Sequence, residues 1–332
     1  MTRARLRVLL GRALVLCVGV ALAGYFVKAA GPSHVLSVLV EAGRFLPFIV
    51  LLEMGVVTTD IIAARGLLGG AVRSITTRAW IRACALAYAS SILLPAGRAA
   101  GETVRAATLS GSVGAGTAVT ACARLQSCVL VSNAAISLTI GAVTLAGGVS
   151  LLPLLLLGNA VVCTVLGLTV FAVARNARVG AWLREKWGPL LKRLGLMKAA
   201  GTPNAPAPSR KATSAAIALN LLGRSLQTVQ YGVVLLAVGA VSGPVRALTA
   251  QGIHLVGAAV GDLIPTQLGA MEGVYRGFAR SIGLEDAPAR ALSIALIVRI
   301  AQVGLALACV AIGAAAHPEA RSTEGSHEDV PS

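Results

Sequence analysis

Carboxylates are scarce in this chain: 13 Asp and Glu stand among 332 residues, against 29 Lys and Arg. Charged residues of both signs reach only 13%, where a soluble domain carries about 25%. Aromatics are 4%, and the six cysteines stand singly with no C-x-x-C pair. Each shortage excludes something. Too few charges means too little solvating surface for a soluble enzyme or a disordered chain. Lone cysteines within apolar runs read as small buried hydrophobes rather than a redox, metal or disulfide framework. No H-E-x-x-H, Ser/His or paired-carboxylate constellation is present, nor a phosphate-cradling G-x-x-x-x-G-K-[ST] loop. Intramembrane proteolysis and ATP hydrolysis therefore lack their residues, and no enzyme, metal or cofactor is expected.

What the chain has is apolar length. Hydrophobic residues make up 56% and the mean hydropathy is +0.80. Runs long enough to span a bilayer recur, so the expectation is an all-α, polytopic transmembrane bundle. The net charge of +16 suggests nucleic acid in a soluble protein. Here no aromatics interleave a basic patch and most cations flank apolar segments. Positive-inside topology and anionic lipid headgroups account for them, with no nucleic-acid partner.

Arg3, Arg5, Arg7 and Arg12 precede an apolar run over 13–30, read as a retained first helix with a cytoplasmic N-terminus. A cleaved signal peptide ending at Ala21-Leu22-Ala23 is the alternative, disfavoured because the run continues through Phe26. A second helix over about 35–64 returns to a basic loop, and stretches at about 125–147 and 151–174 form a hairpin. The first half thus ends near 174. Residues 175–211 form the most basic loop, in which Val179, Leu183, Trp187, Leu190, Leu191 and Leu194 have the spacing of an amphipathic helix on the inner leaflet. The second half, 212–315, carries helices at about 212–240 and 289–315, and 316–332 reads as a polar disordered tail.

Two intervals, about 83–119 and 245–282, are too short for two comfortable crossings and are broken by Pro and Gly. The side on which each flanking loop lies requires both to enter and leave on one face. They are expected as oppositely oriented re-entrant helical hairpins, the first from the inner side and the second from the outer. Their sequences align. Pro95, Arg98, Gly101, Glu102 and Arg105 stand in the first, and Asp262, Pro265, Gly269, Glu272 and Arg276 in the second, with seven residues from Pro to Glu in both. Inverted repeats with broken helices meeting at the bilayer centre are an architecture of secondary transporters.

Charges at that depth cost roughly 2.5–3.5 kcal/mol each on the lenient insertion scale. In one reading they neutralise themselves, Glu102 with Arg98 or Arg105 and Glu272 with Arg276. In the other, Arg98, Arg105, Arg276 and Arg299 line a wet cavity and hold a phosphate, which guanidinium binds bidentately. The two readings are compatible. Glu53 and Asp60, seven apart on one helix face, suggest an ion relay at Glu53 and a carboxylate solvated near the inner interface at Asp60. Glycines 257, 261, 269, 273 and 277 have the four-residue spacing of tight helix packing, which also suits a homodimer. His254, among apolar neighbours, reads as a hydrogen-bonded core residue.

At Pro95, Arg98, Gly101, Glu102 and Arg105, and again at Pro265, Gly269 and Glu272 followed by Arg299, the chain resembles the lysylphosphatidylglycerol synthase transmembrane, or flippase-like, family. The likeness extends over most of the chain, although only these two motifs are specific. Where family members often read Pro-Gly-Gly-x-Gly, this chain has Thr266-Gln267-Leu268-Gly269 after Pro265. The resemblance implies a lipid-translocating domain of the bacterial cytoplasmic membrane. Its substrates would be aminoacylated phosphatidylglycerol or another anionic or polyprenyl-linked lipid. The soluble aminoacyl-transferase domain of the full-length synthases is not expected here. The competing reading is a non-transporting accessory protein that organises envelope-lipid enzymes through its basic inner surface.

Overall fold

The computed structural model describes residues 21, 24–94, 96–146, 151–175, 209–261, 267 and 269–316. After a helical stretch over 24–30, ten α-helices carry the described fold: α1 Pro32–Ala42, α2 Leu46–Leu68, α3 Thr77–Leu93, α4 Gly97–Val113, α5 Ala115–Ala146, α6 Leu151–Arg175, α7 Arg210–Ala237, α8 Pro244–Gly261, α9 Ala270–Gly277 and α10 Pro288–Ala315. Short 3-10 turns link several of them, and the described residues contain no strand. The basic loop with its proposed amphipathic helix, the arginines before the first apolar run, and the tail from 317 lie outside the described residues. So do Pro95, Asp262 and Pro265.

Local chemistry sets the helix boundaries. Thr76 accepts the Ala79 N–H to start α3, and Ser209 caps α7 by accepting the Ala212 N–H. Pro occupies the first turn of α1, α2 and α10, where its missing N–H costs nothing. Gly114, at φ 81°, closes α4.

Two boundaries depart from the sequence expectation. The helix expected at 35–64 is interrupted by a 3-10 turn at Gly43–Phe45 and then runs on to Leu68. The helix expected from about 125 begins at Ala115. Its first turns, Ala-Gly-Thr-Ala-Val-Thr, are only modestly apolar, yet Ala is the best helix former. As a result the first broken interval spans Thr77–Val113 rather than about 83–119.

Among the described residues, four stretches are long and apolar enough to cross a membrane: Pro32–Ser74, Ala115–Ala146, Leu151–Val173 and Pro288–Ala315. At 32 residues, α5 is about 48 Å long. The bundle exposes large apolar side chains and buries a set of polar and charged ones within an otherwise apolar core. Leu51, Val161, Val165 and Leu168 are exposed, while Glu53, Glu102, Arg105, Gln230, Gln251 and Gln302 are buried. Water does not produce that distribution, but a lipid solvent does.

Small residues let the helices close. A Cβ on Gly101 of α4 would lie 2.5 Å from the Ala87 carbonyl oxygen of α3, and one on Gly223 of α7 would lie 2.6 Å from Thr59 Oγ1 of α2. Both pairs therefore pack nearly backbone to backbone, as in membrane helix interfaces. Gly257 packs against Met271 and Gly261 against Gln267, as their spacing suggests, whereas Gly277 meets nothing within 4 Å. Between α5 and α6, Ser127 Oγ donates to the Gly167 carbonyl at 2.6 Å and Asn159 Nδ2 to Ser137 Oγ at 2.9 Å. The principal core gathers Tyr231, Val234, Leu235, Ile253, Tyr275 and Ile294 around α7, α8 and α10.

Candidate functional site

The two broken units, α3–α4 and α8–α9, form helix–break–helix arrangements. Each break holds a non-glycine residue in the left-handed region, Ala96 at φ 70° and Gln267 at φ 54°. Such backbone costs of order 1–3 kcal/mol and is held by its surroundings. The first break starts α4 and so aims its first three turns inward.

Arg98, Glu102 and Arg105 on α4 face Asp60 on α2. Arg98 Nη2 donates to Asp60 Oδ1, Arg105 Nη2 to Asp60 Oδ2 at 2.8 Å, and Arg105 Nη1 lies 3.2 Å from Glu102 Oε1. Arg98 Nη2 is 3.8 Å from the same Glu102 oxygen. Two cations and two anions thus close on one another. Asp60 is the centre of this group rather than a carboxylate solvated at an interface, because the approach of α4 covers it. The spacing of charges along α2 alone gave no sign of that.

A cavity of about 430 Å³ opens beside the cluster. Of the sequence candidates, Arg98, Gly101, Glu102, Arg105, Arg299 and Glu53 line it. Asp60, Arg224, Gln227, Gln267, His254 and Gln302 are among its other polar lining residues. Arg224 and Arg299 both stand near the middle of helices 28 residues long, so the cavity lies about halfway along the bundle.

Glu53 accepts from Tyr88 Oη at 3.0 Å, Gln230 Nε2 at 3.0 Å and Gln302 Nε2 at 3.4 Å. It is a buried carboxylate whose donors among the described residues are neutral. Arg224 donates to Gln227 Oε1 at 2.7 Å, and Arg299 to Gln267 Oε1 at 3.0 Å. His254 lies against the Tyr231 ring, 5.3 Å between centroids, and faces the cavity rather than an apolar core.

The second motif behaves differently from the first. Glu272 is buried, and its Oε2 accepts the Gly269 N–H at 2.7 Å, satisfying an orphan donor at the start of α9. Neither Gly269 nor Glu272 lines the cavity. Arg276 does not pair with Glu272. It is exposed and sits 5.8 Å over the Phe26 ring, away from the cavity, while the Glu272 carboxylate turns back onto the Gly269 N–H instead of reaching forward to position 276.

Sequence reasoning missed Arg224. The pattern Leu-Leu-Gly-Arg-Ser-Leu reads as one cation within a crossing. The available signal was the succession Asn220, Arg224, Gln227 and Gln230 at helical spacing, a polar stripe in a membrane-length helix. No protein-family model, curated protein or solved structure matches the chain.

Proposed function

We propose that this chain is a flippase-like membrane lipid translocase, moving an anionic, aminoacylated or polyprenyl-linked lipid headgroup across the bacterial cytoplasmic membrane. The observation that carries this reading is the arginine-lined cavity halfway along apolar helices. Part of its wall is exposed hydrocarbon: Leu94, Val162 and Leu166 both line it and face outward. A polar chamber that meets the lipid phase sideways suits a molecule with a charged head and apolar tails. A volume of about 430 Å³ falls within the range of small-ligand sites.

In this reading the two broken units are re-entrant hairpins of opposite orientation, forming an inverted repeat, and the N-terminus is cytoplasmic by the positive-inside bias. The resemblance at the Pro95–Arg105 and Pro265–Glu272 motifs points the same way. The headgroup enters the chamber while the acyl chains run along Val162 and Leu166. Asp60 and Glu102 hold Arg98 and Arg105 when the chamber is empty and exchange with the headgroup as it passes, so no bare charge is left in hydrocarbon.

The test is headgroup accessibility in proteoliposomes containing labelled phosphatidylglycerol or its aminoacylated form. Wild type is compared with Glu102→Gln after both are shown to fold. The expected outcome is rapid exchange of one lipid class by wild type and at least a tenfold slower rate in the variant. Equal rates, or no exchange of any anionic or polyprenyl-linked lipid, would leave the accessory-protein reading in its place.

A further inference from the structure

The charges of the cavity are divided unequally. Arg98 and Arg105 belong to a closed set with Asp60 and Glu102. Each keeps an unpartnered Nε–H, but the set has no net charge. Across the chamber, Arg224 on α7 and Arg299 on α10 take part in none of the ion pairs among the described residues. Their hydrogen-bond partners are the neutral amide oxygens of Gln227 and Gln267. Glu53, Asp60 and Glu272 act on them only from beyond ion-pair distance. His254 is within electrostatic reach of both guanidiniums.

Two partly buried cations with no ion-pair partner among the described residues, near the middle of a membrane bundle, are costly. A fold keeps such a pair where something anionic arrives. We propose that Arg224 and Arg299, with His254 beside them, form the phosphate-binding pole of the cavity, and that its ligand is the phosphodiester of an anionic lipid. The Asp60 cluster is then a self-neutralised wall rather than the primary phosphate site. Each guanidinium has five N–H donors in a planar fork, of which one donates to a side chain among the described residues. Bidentate contact with phosphate oxygens remains open to both. The amides of Gln227 and Gln302 add neutral groups that do not cancel the charge.

This inference rests on the translocase reading for the source of the ligand, not for the site, and a binding measurement separates the two. The full chain in detergent micelles is titrated with phosphatidylglycerol or phosphatidylcholine, each labelled on an acyl chain so that the headgroup is native. Unlabelled phosphatidylglycerol and inorganic phosphate serve as competitors. Wild type is expected to prefer phosphatidylglycerol by at least tenfold. Arg224→Gln and Arg299→Gln should each erase most of that preference, and Arg224→Lys and Arg299→Lys should keep part of it, because the charge survives without the fork. Arg276→Gln, whose guanidinium lies over Phe26 away from the cavity, should change it less than threefold.

Unchanged preference in folded Arg224→Gln and Arg299→Gln overturns the inference, as does a wild type indifferent between the two lipids. Displacement of the labelled lipid by millimolar phosphate as readily as by phosphatidylglycerol keeps the two-arginine site and assigns it to free phosphate. That result overturns the lipid phosphodiester as the ligand, whereas tight binding without transport counts against the translocase reading alone.

Discussion

Arg105 on α4 donates to Asp60 on α2 at 2.8 Å across 45 residues of sequence, and its other amino group lies 3.2 Å from Glu102. One guanidinium thereby ties the first broken unit to the apolar helix beside it. Asp60 carries Arg98 as well as Arg105, so its loss leaves two cations sharing the single carboxylate of Glu102. Asp60→Asn should destabilise the protein by about 3–5 kcal/mol, the usual consequence of breaking a buried ionic group from one side. Thermal unfolding in detergent checks this. The double variant Asp60→Asn/Arg105→Gln should recover part of the loss, because one stranded charge is removed with its partner. Simple addition of the two single effects would contradict the pairing.

The same substitution at two glycines should act in opposite directions. On α4, Gly101→Ala places a Cβ 2.5 Å from the Ala87 carbonyl oxygen. Backbone cannot swing aside as a side-chain tip does, so α3 and α4 must separate, at about 1–3 kcal/mol. On α10, Gly304 has nothing within 4 Å of its would-be Cβ. Gly304→Ala should be neutral or stabilising by up to about 1 kcal/mol through helix propensity. Paired melting curves decide it.

The two glutamates that align in sequence should not behave alike. Glu272 serves α9 as a cap on the Gly269 N–H. Glu272→Ala should therefore cost about 0.5–2 kcal/mol of stability, while Glu272→Gln keeps an acceptor oxygen and most of the cap. Arg276 lies over Phe26 away from the cavity, so Arg276→Gln should exchange labelled lipid within about twofold of wild type. Arg299→Gln should be slowed at least tenfold, the loss of one charged hydrogen bond of about 1.4 kcal/mol or more. The proteoliposome assay reads both.

Apolar length and broken intervals were legible because both are local: a bilayer-length run and a Pro-Gly interruption show in any short window. The grouping of Arg98, Glu102 and Arg105 was legible for the same reason, since i, i+3 and i+4 neighbours share a helix face. Asp60 was not, because its partners lie 38 and 45 residues away and only the docking of α4 on α2 brings them together. Nor was the divergence of the two motifs. Aligned letters fix which residue type follows the break, but Glu272 turns back onto its own helix start while Glu102 turns toward arginines. The early start of α5 was hidden because its first turns are built from small residues that form helix well and score poorly as apolar.

Ala96 offers the sharpest test of the first break. It precedes α4 at φ 70°, ψ 11°, in the left-handed region, where a Cβ crowds the following carbonyl and costs roughly 1–2 kcal/mol. Ala96→Gly removes that strain but frees the unfolded chain, an opposing effect of about 0.4–1 kcal/mol. The balance should be a gain of up to about 1 kcal/mol. Four residues on, Ala100 lies inside the helix. There the identical change relieves nothing and should cost roughly 0.5–1 kcal/mol. Ala96→Val should be worse than either, since a β-branched side chain tolerates positive φ least. The expected order of melting temperature is therefore Ala96→Gly, wild type, Ala100→Gly, Ala96→Val. If Ala96→Gly instead melts below wild type by as much as Ala100→Gly does, position 96 is not held in the left-handed region, and the sharp entry that turns Arg98 and Arg105 toward Asp60 must have another origin.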